Sequence, residues 1–225
     1  MVFSAHKVKI GEAVGPAATV GCMKIDTPRG PALVDLDEDA DEPRYLVAIT
    51  HGAGGGVDAP DIVAVRDAVV AAGGAVARVS QPYRVAGRRM PGANTAAQDE
   101  AWRAVVRELC ALERFAGAAL VLAGRSNGAR VACRTAADLG ASAVVALAFP
   151  LHPPGRSGRS RVDELRGTGV PTLVVNGDRD SFGVPGAKDA TTVAVRPGER
   201  HDLAKDPRAV AGIVTAWLAD HVGNV

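Results

Sequence analysis

Aromatic side chains are scarce. Two Trp, two Tyr and four Phe make up 4% of the 225 residues. Ala, Val and Leu must therefore fill most of the interior. At 47% hydrophobic and 23% charged, the chain carries enough of them for one compact domain, with a core over about 20–222. An excess of charge of either sign is also missing: 26 basic side chains against 25 acidic ones leave a net charge of +1. That gives no electrostatic basis for binding nucleic acid or an anionic membrane. Long apolar runs are absent, since Ala141 to Phe149 and Ala118 to Ala123 fall far short of a bilayer span. Residues 1–25 lack a charged start followed by an apolar run, so no secretory signal is expected and a cytoplasmic location is. Cysteine is sparse. Cys22, Cys110 and Cys133 form no Cys-x-x-Cys pair and leave one odd. Such a set predicts buried thiols in a reducing compartment, with neither a disulfide framework nor a zinc site.

What is present is a series of short apolar runs alternating with helical patterns. This predicts an α/β fold: a mostly parallel central sheet with helices on both faces. The opening differs. Cys22–Asp26 and Ala32–Leu36, separated by Thr-Pro-Arg-Gly-Pro, read as an antiparallel hairpin at the sheet edge. The acidic run from Asp35 to Glu42 reads as a solvated loop. Tyr45–Thr50 has a buried-strand pattern. A glycine-rich turn follows, then a helix over about 60–72 with Pro60 in its first turn and Ile62, Val65 and Val69 on one face. Further strands are predicted at Ala75–Ser80, Ala118–Ala123, Ala143–Phe149, Val170–Asn176 and Thr191–Val195. Helices are predicted over about 95–114, over about 127–139 and from Asp206-Pro207 onward. Gln81–Gly92 and a Pro/Gly/Arg stretch ending near 161 read as long loops.

One motif carries chemistry. Gly124-Arg-Ser126-Asn-Gly128 fits G-x-S-x-G, which a chain with seven serines and 26 glycines seldom produces by chance. It follows Ala-Ala-Leu-Val-Leu-Ala directly and precedes a helical segment. This is the strand–turn–helix setting of a nucleophile elbow, where a tight turn demands small neighbours. The N–H of the next residue then points toward the substrate oxygen at a helix N-terminus. A nucleophilic serine needs a base, and the base an orienting acid, in the chain order Ser, Asp/Glu, His. Of the five histidines, His6 and His51 precede Ser126. His152 comes before any strand that can present an acid, and His221 ends the terminal helix. His201 lies between the last strand and the last helix, where the base belongs. For the acid, Asp178 and Asp180 both follow the penultimate strand. Asp180 is preferred because the turn itself consumes the first residues, leaving Asp178 to cap it. Asp202, the immediate neighbour of His201, is read as structural. The second oxyanion donor is expected in Thr50-His-Gly-Ala-Gly-Gly-Gly56, which gives the N–H groups of Ala53 and Asn127 as the pair. His51 reads as a loop brace. A phosphate-binding loop is disfavoured, because no Gly-Lys-Ser/Thr follows.

Together, His-Gly-Ala-Gly-Gly, Gln-Pro-Tyr-Arg, Gly-Arg-Ser-Asn-Gly, Phe-Pro-Leu-His-Pro-Pro-Gly, Gly-Asp-Arg-Asp-Ser-Phe-Gly and the late Arg-His-Asp resemble the α/β-hydrolase superfamily. The likeness is to its small, lidless, dienelactone-hydrolase-like branch and covers about residues 20–222. It implies an α/β-hydrolase fold without a large lid. It further implies a Ser126–Asp180–His201 triad and hydrolysis of a small ester, lactone or thioester through an acyl-enzyme. No metal or organic cofactor is implied. One departure stands out: Asn127-Gly128-Ala129 replaces the Met-Gly-Gly common after the serine, which leaves the Asn127 side chain without a role. Arg84 and His152, on loops after strands, are candidates for the substrate side. Two rival readings share the same residues: a hydrolase-like scaffold that binds partners without catalysis, and acyl transfer or perhydrolysis on the same triad.

Overall fold

A computed structural model describes residues 21–40, 42–156 and 158–222. His6 and most of the segment read for a secretory signal lie outside the described residues. Eight strands form one sheet: β1 (Gly21–Thr27), β2 (Gly30–Asp37), β3 (Tyr45–Thr50), β4 (Ala75–Ser80), β5 (Ala119–Arg125), β6 (Ala143–Leu147), β7 (Thr172–Gly177) and β8 (Thr192–Arg196). Their order is β1-β2-β4-β3-β5-β6-β7-β8. The hairpin β1–β2 is antiparallel and β2 joins β4 antiparallel, while the remaining pairings are parallel. Helices α1 (Pro60–Ala71), α2 (Pro82–Val85), α3 (Thr95–Cys110), α4 (Asn127–Thr135), α5 (Val162–Arg166) and α6 (Pro207–His221) complete the fold. Among the described residues no helix is long and apolar enough to cross a membrane.

The strand sequences show why both faces are covered. β3, β6 and β7 are buried at every position, as expected where crossover helices lie on both sides of a parallel sheet. Alternate residues of β3 serve different layers. Leu46 and Ala48 pack with Trp102, Val105 and Leu109 of α3 and with α4. Tyr45, Val47 and Ile49 pack with Ile62 and Val65 of α1 and with Val214 and Leu218 of α6. Parallel strands place all their carboxyl ends on one rim, and the loops that matter leave from that rim.

Several sequence expectations need correction. The acidic run is not a loop throughout, because β2 continues to Asp37. Asp37 has no exposed surface; its Oδ2 accepts from Arg78 Nε at 2.8 Å and its Oδ1 from Arg66 Nη1 at 2.9 Å. These arginines on the neighbouring strand and helix let a charged residue extend the ladder. The stretch Gln81–Gly92 opens with a single helical turn, α2, set by Pro82 and closed on the Gln81 carbonyl by the N–H groups of Arg84 and Val85. The helix starting at Thr95 ends at Cys110, and that starting at Asn127 ends at Thr135. α5 forms between the end of the predicted loop near 161 and β7, where no element was predicted. The strand before the elbow runs on to Arg125, two residues past its apolar run. Only Cys133 is buried; Cys22 and Cys110 are exposed.

The buried charge on β2 gives a direct test. Asp37→Ala leaves Arg78 without its closest partner, with Asp58 at 3.3 Å and Asp35 at 3.8 Å as the remaining acids. Unfolding in urea is expected to show a loss of about 3 kcal/mol. A loss within about 0.5 kcal/mol would place the pair among weak surface bridges instead.

Candidate active site

β5 and α4 meet at Ser126, which adopts φ 53° and ψ −111°. A side chain in this region is strained and is held there only by its surroundings. The surroundings are visible. The Ser126 N–H donates to the Leu147 carbonyl at 2.8 Å. A Cβ on Gly124 would lie 2.2 Å from the Gly128 carbonyl carbon, and one on Gly128 would lie 2.5 Å from the Thr50 oxygen. Both glycines of the motif are therefore steric requirements: helix, nucleophile strand and β3 touch backbone to backbone at the turn.

Ser126 Oγ lies 2.8 Å from His201 Nε2, and His201 Nδ1 lies 2.8 Å from Asp180 Oδ2. A carboxylate only accepts, so Nδ1 donates to Asp180 and Nε2 accepts from the serine hydroxyl. The structure thus brings together the three residues that the chain order singled out. Each is held from behind. Asp180 Oδ1 accepts from the Phe182 N–H at 2.8 Å and Oδ2 from Asn176 Nδ2 at 3.2 Å. The Phe182 ring packs on the His201 ring with centroids 4.4 Å apart. Glu199, buried, accepts from the N–H groups of Lys205 at 3.1 Å and Asp206 at 2.7 Å, which shapes the loop that carries the histidine. Asp178 does not cap its own turn. Its Oδ1 accepts from the Gly198 N–H at 2.7 Å and ties the acid loop to the histidine loop.

Asn176 was missed by sequence reasoning. It has no exposed surface, and its amide bridges both polar groups of Phe149 as well as Asp180. The available signal was a lone amide directly after the apolar run Leu173–Val175.

The glycine loop after β3 lies against the elbow. A Cβ on Gly52 would come within 3.2 Å of Ser126 Cβ. Ala53, half-buried, is the next residue. Asn127 is the first residue of α4, so its N–H has no acceptor within the helix. His51 has no exposed surface; its Nδ1 lies 2.9 Å from the Gly52 carbonyl and its Nε2 accepts from the Gln81 N–H at 3.2 Å. Burial holds its pKa below the usual 6.5, which suits a neutral brace between two loops.

The Asn127 side chain has a partner that the sequence did not reveal. Its Nδ2 donates to Gln98 Oε1 at 2.7 Å, and both side chains are buried. Gln98 also lines a cleft of about 330 Å³ with Gln81, Tyr83, Arg88, Gly92 and Asn94 at the carboxyl end of β4. A larger cleft of about 900 Å³, around Arg44 and Arg114, opens at the amino ends of β3 and β5, on the opposite rim from Ser126. Arg84 lies half-buried on α2. His152 Nδ1 donates to the Arg159 carbonyl at 3.0 Å, and its ring abuts Gly183 of the acid loop. Among the described residues, no hydrogen bond joins Arg84 or His152 to the Ser126–His201–Asp180 set. None of these residues forms a cluster that could hold a metal ion.

The profile of the alpha/beta hydrolase domain family matches residues 43–204. The chain belongs to this family. The match spans β3 to the histidine loop and so covers Ser126, Asp180 and His201. No curated protein matches the hydrolase-domain sequence. Among solved structures, it is similar to a serine hydrolase without lid from Xanthomonas campestris, with TM-score 0.71 and 21% identity over 96% of this chain and 100% of that one. Est1E from Butyrivibrio proteoclasticus gives 0.72 and 20% over 91% and 100%. A dienelactone hydrolase from Anabaena variabilis gives 0.73 and 16% over 91% and 99%. At these identities the likeness is one of fold: the α/β-hydrolase sheet, with α5 the only helix among the described residues between β6 and β7, where a large lid would sit.

The Asn127–Gln98 bond can be measured. Asn127→Ala leaves a buried amide oxygen unpaired and is expected to destabilise the hydrolase domain by about 1–3 kcal/mol. Adding Gln98→Ala should cost less than the sum of the single changes, as groups in contact do. Strictly additive losses in a double-mutant cycle would show that the bond does not form in solution.

Proposed function

We propose that the protein is a serine hydrolase that cleaves small esters, lactones or thioesters. The observation that carries this reading is the unbroken line of two 2.8 Å contacts from Ser126 Oγ through the His201 ring to Asp180. In the proposed reaction His201 Nε2 takes the proton of Ser126 as Oγ attacks the carbonyl carbon. The imidazolium so formed is stabilised by the buried Asp180 carboxylate. The oxyanion is received by the N–H groups of Ala53 and Asn127, the latter at a helix N-terminus where the dipole favours negative charge. The same histidine then gives its proton to the leaving group, deprotonates a water as that water attacks the acyl carbon, and returns the proton to Ser126 Oγ as the ester bond breaks, releasing the free acid. Every proton and electron pair in these steps is moved by the chain's own groups and water.

The substrate is proposed to be small or presented on an exposed end, since little covers the rim. The cleft beside Gln98 is the natural receptacle for one part of it, because its wall is bonded to Asn127, the residue next to the nucleophile. Arg84 and His152 are assigned a weaker role at the entrance, on the ground that both sit half-buried at the carboxyl rim.

The test uses a fluorophosphonate probe and short p-nitrophenyl esters. Wild type should label and turn over, and Ser126→Ala should do neither. His201→Ala should lose activity by roughly 10⁴- to 10⁶-fold. Unlabelled wild type, or equal labelling of Ser126→Ala, would refute the proposal.

A further inference from the structure

The acyl-transfer steps leave one charged side chain at the elbow unused. Arg125 is the last residue of β5, and its side chain is only 15% exposed. Its guanidinium meets three segments at once. Nη2 donates to the His201 carbonyl at 3.3 Å. Nε lies 3.1 Å from Asp61 Oδ2 at the start of α1. Nη1 faces the glycine loop, where a Cβ on Gly52 would come within 3.3 Å of it and one on Gly55 within 3.9 Å.

The Asp61 contact is unusual. Asp61 has no exposed surface, and among the described residues neither of its oxygens has a hydrogen-bond donor, nor does Arg125 Nε have an acceptor. The contact is a close ion pair whose acid is fully buried. Burial pushes the Asp61 pKa up and the Arg125 charge opposes that rise. The first turn of α1 adds its own preference for an anion. Asp61 therefore serves to keep a buried guanidinium neutralised and in place. What that guanidinium reaches is the main chain of the base and the loop of the first oxyanion donor, next to the nucleophile that it precedes in sequence. A lysine ammonium is a point charge, whereas the planar guanidinium offers five donors in a fork wide enough for three directions.

We propose that Arg125 is a positioning residue: neutralised by Asp61, it holds the His201 main chain and the Gly52–Gly55 loop in register with Ser126. This rests on the acyl-transfer reading above. A small misplacement of the base changes the rate far more than the binding, so the effect belongs in kcat and not in KM.

The test separates positioning from stability. Arg125→Met alone strands Asp61 as a buried charge. The informative protein is therefore Arg125→Met/Asp61→Leu, which removes both charges and can recover stability, as apolar replacements of buried pairs often do. Its denaturant midpoint should return toward that of wild type. Its kcat for p-nitrophenyl acetate and its fluorophosphonate labelling rate should both stay about 10- to 100-fold low, with KM within about threefold. A folded double variant that labels and turns over like wild type would overturn this inference and leave the acyl-transfer reading standing. A wild type that does not label overturns both.

Discussion

The backbone at Ser126 is where the rest of the molecule converges. A side chain at φ 53° persists only if its neighbours leave the chain no alternative. Here β5 enters the turn and α4 leaves it so closely that two glycines touch, and α4 rests on the end of β3. Any side chain at position 124 or 128 would push these elements apart. The same turn lets the serine hydroxyl meet His201 while its N–H stays bonded to β6.

Everything around the elbow follows from the parallel order of strands. The glycine loop leaves β3 on one side of β5, and the loop of Asp180 leaves β7 on the other, beyond β6. The histidine arrives last, from the end of β8, and has farthest to reach. The loops after β7 and β8 are accordingly locked together. A Cβ on Gly177 would meet the Glu199 oxygen at 2.2 Å, the Arg179 N–H donates to that same oxygen at 3.0 Å, and Asp178 bonds Gly198. Asn176 ties the acid back to β6. The acid and base are thus presented by one braced unit, and Arg125 joins that unit to the nucleophile and the glycine loop. In the proposed reaction this bracing would leave few groups to move as charge develops.

Most of this order was legible in the chain. Short apolar runs alternating with helical patterns placed the strands, and the order Ser, Asp, His placed three distant residues at one point. Ser126, Asp180 and His201 could be named because each carries a local signature. Gln98 and the Asp61–Arg125 pair could not, because their partners lie far off in sequence and nothing local announces a buried polar bridge, while Asn176 and Glu199, which also bond nearby residues, read as single polar residues in a strand and a loop. The same reason hid Asp37. Read along the chain it is one more acid in an acidic run, and only the register with β4 and the approach of α1 supply the arginines that bury it. Helix ends were overrun where regular helical bonding gives way to local turns, as after Thr135, where the turns close on Gly140 at positive φ.

The central claim is that Ser126 carries the acyl group. It is tested most directly by mixing the protein with p-nitrophenyl acetate, quenching in acid during the first turnover, and mapping the acetyl group by peptide mass spectrometry. The account predicts a burst of p-nitrophenolate and one acetyl group on the peptide containing Ser126, at that residue. Turnover with the acetyl group on another nucleophile, such as the exposed Cys22 or Cys110, would contradict it.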